Sequence, residues 1–233
     1  MLLPSLMLVP VPLAPLAPHR PLAGRGAPRC AAEFGDPEWL PDQEFDKQTL
    51  EQEFAAASFR RPATTEELRT YLLGSWRLRK ATTYNSGGIS GRFDGRGSFS
   101  DFAHPTRALV CYSEEGTFQP IVDQLPSSET LETRNQLMYD FSDPGGRVDV
   151  FYDDPSQADR SPEAVVSNLR FLHSLHVDTL VLTEHADGPD TYTGKLDIEA
   201  PHAFLTTWAV TGASTAGQIV SMYTRTGWPR SDA

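Results

Sequence analysis

The sequence predicts an all-β fold: a single antiparallel up-and-down β-barrel of eight to ten strands, with a short N-terminal helix and an extended acidic arm. Three observations favour this class. Short β-like segments follow one another from Trp76 to Arg225, and Gly, Pro, Asn and Asp turn signals separate many of them. The 233-residue chain carries 19 prolines and 17 glycines, which favours many turns over long helices. A Gly-x-Trp motif opens the first segment and an arginine ends the last, as expected of a sheet closed on itself.

Residues 1–31 are interpreted as a targeting leader, followed by an acidic arm or linker at 32–62 and the barrel domain at 63–230. The leader starts apolar and proline-rich, then carries Arg20, Arg25 and Arg29 and no acidic residue. Its prolines and its short apolar part disfavour a transmembrane segment. We expect import into a plastid (chloroplast), with the mitochondrion as the alternative. A disordered native N-terminus would have a similar composition.

The acidic arm is distinguished by its charge. Between Glu33 and Arg60 it holds eight acidic residues against Lys47 and Arg60. Its few large apolar residues include Phe45 and Phe54, whose loose helical spacing would suit a helix resting on the barrel or on a partner. A solvated acidic linker explains the composition equally well.

A capping box predicts where the first helix begins. Thr64 is the expected N-cap and Glu67 follows three residues later. The helix runs through Leu68 and Leu72 and ends at Gly74, since glycine can adopt the positive φ that turns the chain into a strand.

Ten β-like segments follow this helix. They are Trp76 to Tyr84, Gly91 to Phe102, Ala108 to Phe118, Leu131 to Phe141, Val148 to Asp153, Leu169 to Val177, Thr179 to Glu184, Tyr192 to Ile198, Phe204 to Val210 and Gln218 to Arg225. The sixth segment alternates most clearly, and its pattern places Leu169, Phe171, His173, Leu175 and Val177 on one apolar face.

The Leu73-Gly74-Ser75-Trp76 start and Arg225 near the end resemble the calycin superfamily, the barrels of lipocalins and fatty-acid-binding proteins. The resemblance implies that Trp76 packs at the closed end of the barrel. It also implies that Arg225, or less favourably Arg230, lies across the indole as a cation–π pair.

A longer stretch, from about Leu68 to Arg225, resembles a lipocalin-like domain family of unknown function found mainly in bacteria. The matching motifs are Gly91-Arg92-Phe93-Asp94-Gly95, Tyr112-Ser113-Glu114-Glu115-Gly116, Trp208-Ala209-Val210-Thr211-Gly212 and Tyr223-Thr224-Arg225. This resemblance implies a fold and no established reaction.

Composition argues against several functional classes. The net charge is −11, and the leader itself contributes only positive charge, so the body of the chain lacks the basic surface that nucleic acids or anionic membranes require. The two cysteines, Cys30 and Cys111, supply neither a disulfide framework nor a zinc site. His173 and His176 lie on opposite faces of one strand, so a metal site is not predicted, although His173 alone could ligate a haem.

Candidate ligand-binding residues are polar groups and rings expected inside the barrel. If Tyr112 points inward, Glu114 does too, and Arg134 on the neighbouring strand is its expected partner. The pair would anchor a ligand headgroup or be a buried salt bridge. His173, Tyr192, Trp208 and Tyr223 complete the candidate set, with Phe99 and Phe171 as further aromatic lining.

These patterns predict that the protein is a non-catalytic organellar barrel. It would bind a small hydrophobic or amphipathic molecule, such as a lipid, pigment or tetrapyrrole. The alternative is an interaction protein, an assembly factor or peripheral subunit that uses the barrel surface and the acidic arm. An isomerase or lyase using His173 or Tyr192 as acid or base ranks third, because no nucleophile–base pair is visible. No catalytic residue, metal or cofactor is assigned.

Overall fold

The computed structural model describes residues 59–121, 130–154, 156 and 158–226. The targeting leader, the acidic arm up to residue 58 and Arg230 lie outside the described residues, so the boundaries at 31 and 62 remain predictions. Neither helix in the described part of the chain is long and apolar enough to cross a membrane.

The described ranges contain two helices and ten strands. Their bounds are α1 Thr65–Leu72, β1 Gly74–Ser86, β2 Gly91–Phe102, β3 Leu109–Pro120, β4 Leu131–Asp140, β5 Arg147–Tyr152, α2 Pro162–Asn168, β6 Arg170–His176, β7 Val181–Asp187, β8 Asp190–Ala200, β9 Ala203–Gly212 and β10 Ala216–Arg225.

The ten strands form one closed antiparallel barrel. Each strand pairs with its neighbours in sequence, and β1 pairs with β10 to close the sheet. This is the predicted up-and-down topology, and every predicted segment overlaps one observed strand. The closed barrel confirms the calycin-like fold.

Helix α1 begins as the capping box predicts. The Thr64 Oγ1 accepts a hydrogen bond from the Glu67 N–H at 3.1 Å, and a Glu67 carboxylate oxygen accepts one from the Ala63 N–H at 2.7 Å. The helix ends at Leu72, and Gly74 has a φ of 116°, in the region that favours glycine. A Cβ at Gly74 would also lie 3.0 Å from Nη1 of Arg225, so the position needs glycine on both grounds.

Trp76 and Arg225 close one end of the barrel, as the calycin resemblance implies. The Trp76 side chain is fully buried, and its indole N–H donates to the Leu72 carbonyl at 2.8 Å. The Arg225 guanidinium carbon lies 4.1 Å from the centre of the Trp76 ring system. Arg225 also donates to the carbonyls of Tyr71 and Leu73, which joins the last strand to the end of α1.

The apolar-face assignment for β6 is wrong at two positions. A bulge in β6 leaves Leu172 without a partner on β5, because His173 pairs with Val150 and Phe171 with Phe151. The extra residue reverses the alternation, so Phe171 is 54% exposed and packs against Phe151 outside the barrel. Leu169 caps α2 and packs on the outer face as well.

Helix α2 was not among the sequence expectations. Ser161 caps it and Pro162 occupies its first turn, a standard N-terminal signal on a helix of only seven residues. Its buried Val165 packs against Leu109 and Met138 on the outer face of the barrel. The helix therefore covers apolar side chains that point away from the interior.

We expect Trp76→Ala to lower the free energy of unfolding by about 3–5 kcal/mol, because it empties the largest buried side chain at the closed end. Chemical denaturation measures this loss. Phe171→Ala is the matched control, an exposed aromatic that should cost less than about 1 kcal/mol. A loss that small for Trp76→Ala would place the indole at the surface.

Candidate functional site

The interior at the closed end of the barrel is filled by side chains. At the closed end, the Phe204 ring lies 4.8 Å from Trp76 and stacks on Tyr223 at 4.2 Å. Phe99 and Leu78 are buried beside them in the same cluster. These side chains form a packed floor, so a site inside the barrel must lie above it.

A buried ion pair lies above this floor. The Lys80 Nζ is 2.6 Å and 2.7 Å from the two carboxylate oxygens of Glu114, and the two side chains are 15% and 9% exposed. Lys80 also lies 5.2 Å from the centre of the Phe93 ring. Two opposite charges this close satisfy each other in a low-dielectric interior, where either charge alone would be costly.

Two tyrosines extend the pair into a hydrogen-bonded chain. The Tyr112 hydroxyl donates to Glu114 Oε2 at 2.6 Å, so its oxygen is left to accept from the Tyr223 hydroxyl at 3.1 Å. Burial, followed by the nearby Glu114 charge, raises the pKa of both tyrosines well above the usual value. Both phenols therefore stay protonated and act as fixed donors.

Tyr112 and Glu114 both point inward, as expected for two residues on the same face of β3. The predicted partner of Glu114, however, is wrong. Arg134 pairs in register with Glu115, the next residue, so it lies on the outer face. Its side chain is 83% exposed, and its Nε is 3.9 Å from Glu115 Oε2. The true partner, Lys80, shares the face of Trp76 and Leu78 in the β1 alternation, a signal that the sequence did contain.

Near the level of the ion pair, several inward-facing side chains remain partly accessible. They come from two walls, Asn135 and Leu137 on β4, and Thr206, Trp208 and Ile219 on β9 and β10. β4 and β9 are five strands apart in a ten-strand barrel, so the two walls face each other. Partial exposure of residues that point inward indicates a cleft between them, beside the Lys80–Glu114 pair, because Asn135 and Leu137 pair in register with Glu114 and Tyr112.

Several buried polar atoms of inward-facing side chains have no hydrogen-bonding partner among the described residues. They include Oδ1 of Asn135, which pairs in register with Glu114, Oδ1 of Asp190 and the hydroxyl of Tyr192. Buried acceptors and donors of this kind are normally satisfied by ordered water or by a ligand. Burial raises the pKa of Tyr192, so this hydroxyl also keeps its proton.

His173 lies deep in the wall beside Trp208. Its ring centre is 4.9 Å from that of Trp208 in an edge-to-face arrangement, and the side chain is 7% exposed. Burial, and secondarily His185, lowers the pKa of His173 to about 4. The imidazole is therefore neutral near pH 7 and is a weak general base there.

The structure thus brings five of the six predicted site residues into the barrel: Glu114, His173, Tyr192, Trp208 and Tyr223. Tyr223 lies at floor level and meets the ion pair only through Tyr112. Sequence reasoning missed Lys80, Asn135 and Thr206. Within the described ranges, no group of three or more His, Cys, Asp or Glu side chains is placed to hold a metal ion.

Comparison with protein families gives a match over most of the chain. Residues 72–225 match the model of a family described as a family of unknown function, DUF6314. The chain belongs to the DUF6314 family. The matched region begins at the end of α1 and includes all ten strands and both members of the Trp76–Arg225 pair.

The chain is also similar to solved structures at low sequence identity. An S-type phycobiliprotein lyase, CPES from Guillardia theta, is 10% identical, with a TM-score of 0.47 over 71% of this chain and 94% of that chain. A redesigned β-barrel is 12% identical, with a TM-score of 0.32 over 68% of this chain and 95% of that chain. A search of curated protein sequences returned no significant match.

We expect Lys80→Met to cost about 3–5 kcal/mol of unfolding free energy, because it leaves the Glu114 carboxylate buried without its cation. The double variant Lys80→Met/Glu114→Leu should recover most of this loss, which a double-mutant cycle measures. Arg134→Ala serves as a control and should change stability by less than about 1 kcal/mol. Additive losses in the cycle would show that the two side chains are not coupled.

His173 should make stability depend on pH. Its folded pKa of about 4 lies below the ordinary 6.5, so the unfolded chain binds the proton more strongly and stability falls as the pH drops from 6.5 towards 4. Urea unfolding should show roughly 2 kcal/mol of this loss between pH 7 and pH 5. His173→Gln should remove that component, whereas the exposed His176→Gln should keep it.

Proposed function

We propose that this DUF6314 barrel binds a small, partly apolar molecule in the cleft between β4 and β9–β10. The observation that carries the proposal is the partial exposure of Leu137, Trp208 and Ile219, three large apolar side chains that point inward. In a barrel filled by its own side chains such residues would be buried at every level, as they are around Trp76. Apolar walls with a few polar groups are typical of ligand sites.

The polar groups restrict the chemistry of the ligand. Lys80 and Glu114 neutralise each other, so the cleft offers no unbalanced positive charge to a carboxylate or phosphate headgroup. The Asn135 Oδ1 is an acceptor that lacks a donor in the described part of the chain. A ligand whose polar end presents an N–H or O–H group therefore complements the site better than an anion does.

The ligand classes we propose are a neutral lipid, a pigment or a tetrapyrrole, bound without chemical change. We also propose that the protein is located in a plastid, or alternatively in a mitochondrion. There it would act as an assembly factor or peripheral subunit of a protein complex. Both proposals rest on the composition of residues 1–31 and of the acidic arm, which lie outside the described residues.

Native mass spectrometry with absorbance spectroscopy, on protein purified from its own source, tests the proposal directly. A copurifying small molecule with a visible spectrum would identify a pigment or tetrapyrrole, and one without it would favour a lipid. Protein that carries no small molecule and does not bind a neutral apolar dye such as Nile red would contradict the proposal.

A pair of variants tests whether the ligand binds inside the barrel. Thr206→Phe introduces a ring into the cleft and should abolish retention of the copurified molecule or of Nile red, at a packing cost of about 1–3 kcal/mol. Thr207→Phe adds the same ring on the outer face of the same strand, where Thr207 pairs with Lys195 and Val220, and should leave binding unchanged. Equal loss in both variants would argue against an interior site.

A further inference from the structure

The outer face of β1–β4 carries two parallel rows of polar side chains. In the arginine row, Arg77 pairs with Arg96, Arg96 with Glu115 and Glu115 with Arg134. The serine row beside it consists of Ser75, Ser98, Ser113 and Gln136, paired in the same way. Together the rows line a concavity of about 840 Å³ on the outside of the barrel.

The arginine row is an unfavourable arrangement for the barrel alone. Like charges directly opposite each other on neighbouring strands destabilise a sheet, and Arg77 lies directly opposite Arg96. The side chains of Arg96 and Arg134 are 79% and 83% exposed, so neither contributes a buried contact. Their ion pairs are exposed to solvent, so these arginines contribute little to the stability of the barrel.

Few acidic groups on this face compensate the arginines. Among the described residues, Asp94 pairs with Arg77 at 3.2 Å and with Arg79 at 3.8 Å. Glu115 pairs with Arg96 at 3.1 Å and with Arg134 at 3.9 Å. Glu132 lies beside Arg96 and Arg134 on the same face, so three carboxylates accompany four guanidinium groups. This face is therefore locally positive on a chain whose net charge is −11.

We propose that this concavity binds an acidic polypeptide segment of a partner protein. The barrel is closed, so no strand edge is available for a partner to extend the sheet, and recognition must come from outward side chains. Guanidinium groups bind carboxylates with paired hydrogen bonds, and the serine row supplies hydroxyl donors and acceptors for peptide groups. The row is too short, and the chain too acidic, for a nucleic acid backbone.

The register sets the spacing of the partner's carboxylates. Glu115 repels any carboxylate of the partner that lies over it. A partner carboxylate can therefore bind at two positions, one between Arg77 and Arg96 and the other at Arg134. With strands roughly 4.8 Å apart, these positions are separated by roughly 12 Å. An extended chain covers about that distance in four residues. The segment therefore carries acidic side chains four residues apart.

The test measures binding of a fluorescent Gly/Ser peptide with a glutamate at every fourth position to the full chain at low salt. A peptide with glutamine at those positions is the ligand control. The glutamate peptide should bind, the glutamine peptide should not, and added salt should weaken binding. In wild-type protein labelled with nitrogen-15, the Nε–H signals of Arg77, Arg96 and Arg134 should shift on binding, while that of Arg147 on β5 should not.

A matched pair of variants separates the arginine row from general charge. Arg96→Gln/Arg134→Gln should weaken binding about tenfold. Arg60→Gln/Arg147→Gln removes two exposed arginines elsewhere and should bind like wild type. Absence of binding to wild type, equal loss in both double variants, or tighter binding of a single-stranded oligonucleotide of the same charge would overturn the proposal.

Discussion

The structure depends on the contact that closes the barrel, Arg225 of the last strand against Trp76 of the first. Arg225 lies over the indole and donates to the carbonyls of Tyr71 and Leu73, which would otherwise lack partners at the end of α1. One side chain thereby fixes the helix, the register of β1 with β10 and the depth of Trp76. Because the sheet has no open edge, every strand gains both neighbours, and the barrel needs no partner to protect it.

This closure determines where function can lie. Trp76, Phe204 and Tyr223 stack into a floor that fills the closed half of the interior. The polar chain from Tyr223 through Tyr112 to Glu114 and Lys80 lies immediately above, beside the partly exposed side chains that line the cleft. Function is therefore expected in two places, the cleft at this level and the arginine row on the outside.

Much of the fold could be predicted from local patterns. The ten strands, the Thr64 cap and the glycine at position 74 follow from turn residues, period-two alternation and capping chemistry. The site was harder, because it depends on register between strands. The register of β3 with β4 differs by one residue from the expected one, so Arg134 lies on the outer face opposite Glu115. The bulge in β6 turns the Phe171 side chain from the inner to the outer face. Lys80 was missed because a cation on an apolar face becomes interpretable only when its carboxylate partner is known.

The central claim is that the interior is packed around Trp76 and accessible between β4 and β9–β10, near the level of the Lys80–Glu114 pair. Diffraction from crystals of the full chain under xenon pressure tests this claim most directly, since xenon occupies apolar cavities that side chains leave open. The account predicts xenon density between Leu137 and Trp208 and none around Trp76. Direct contact between Leu137 and Trp208, with no xenon inside the barrel, would contradict it.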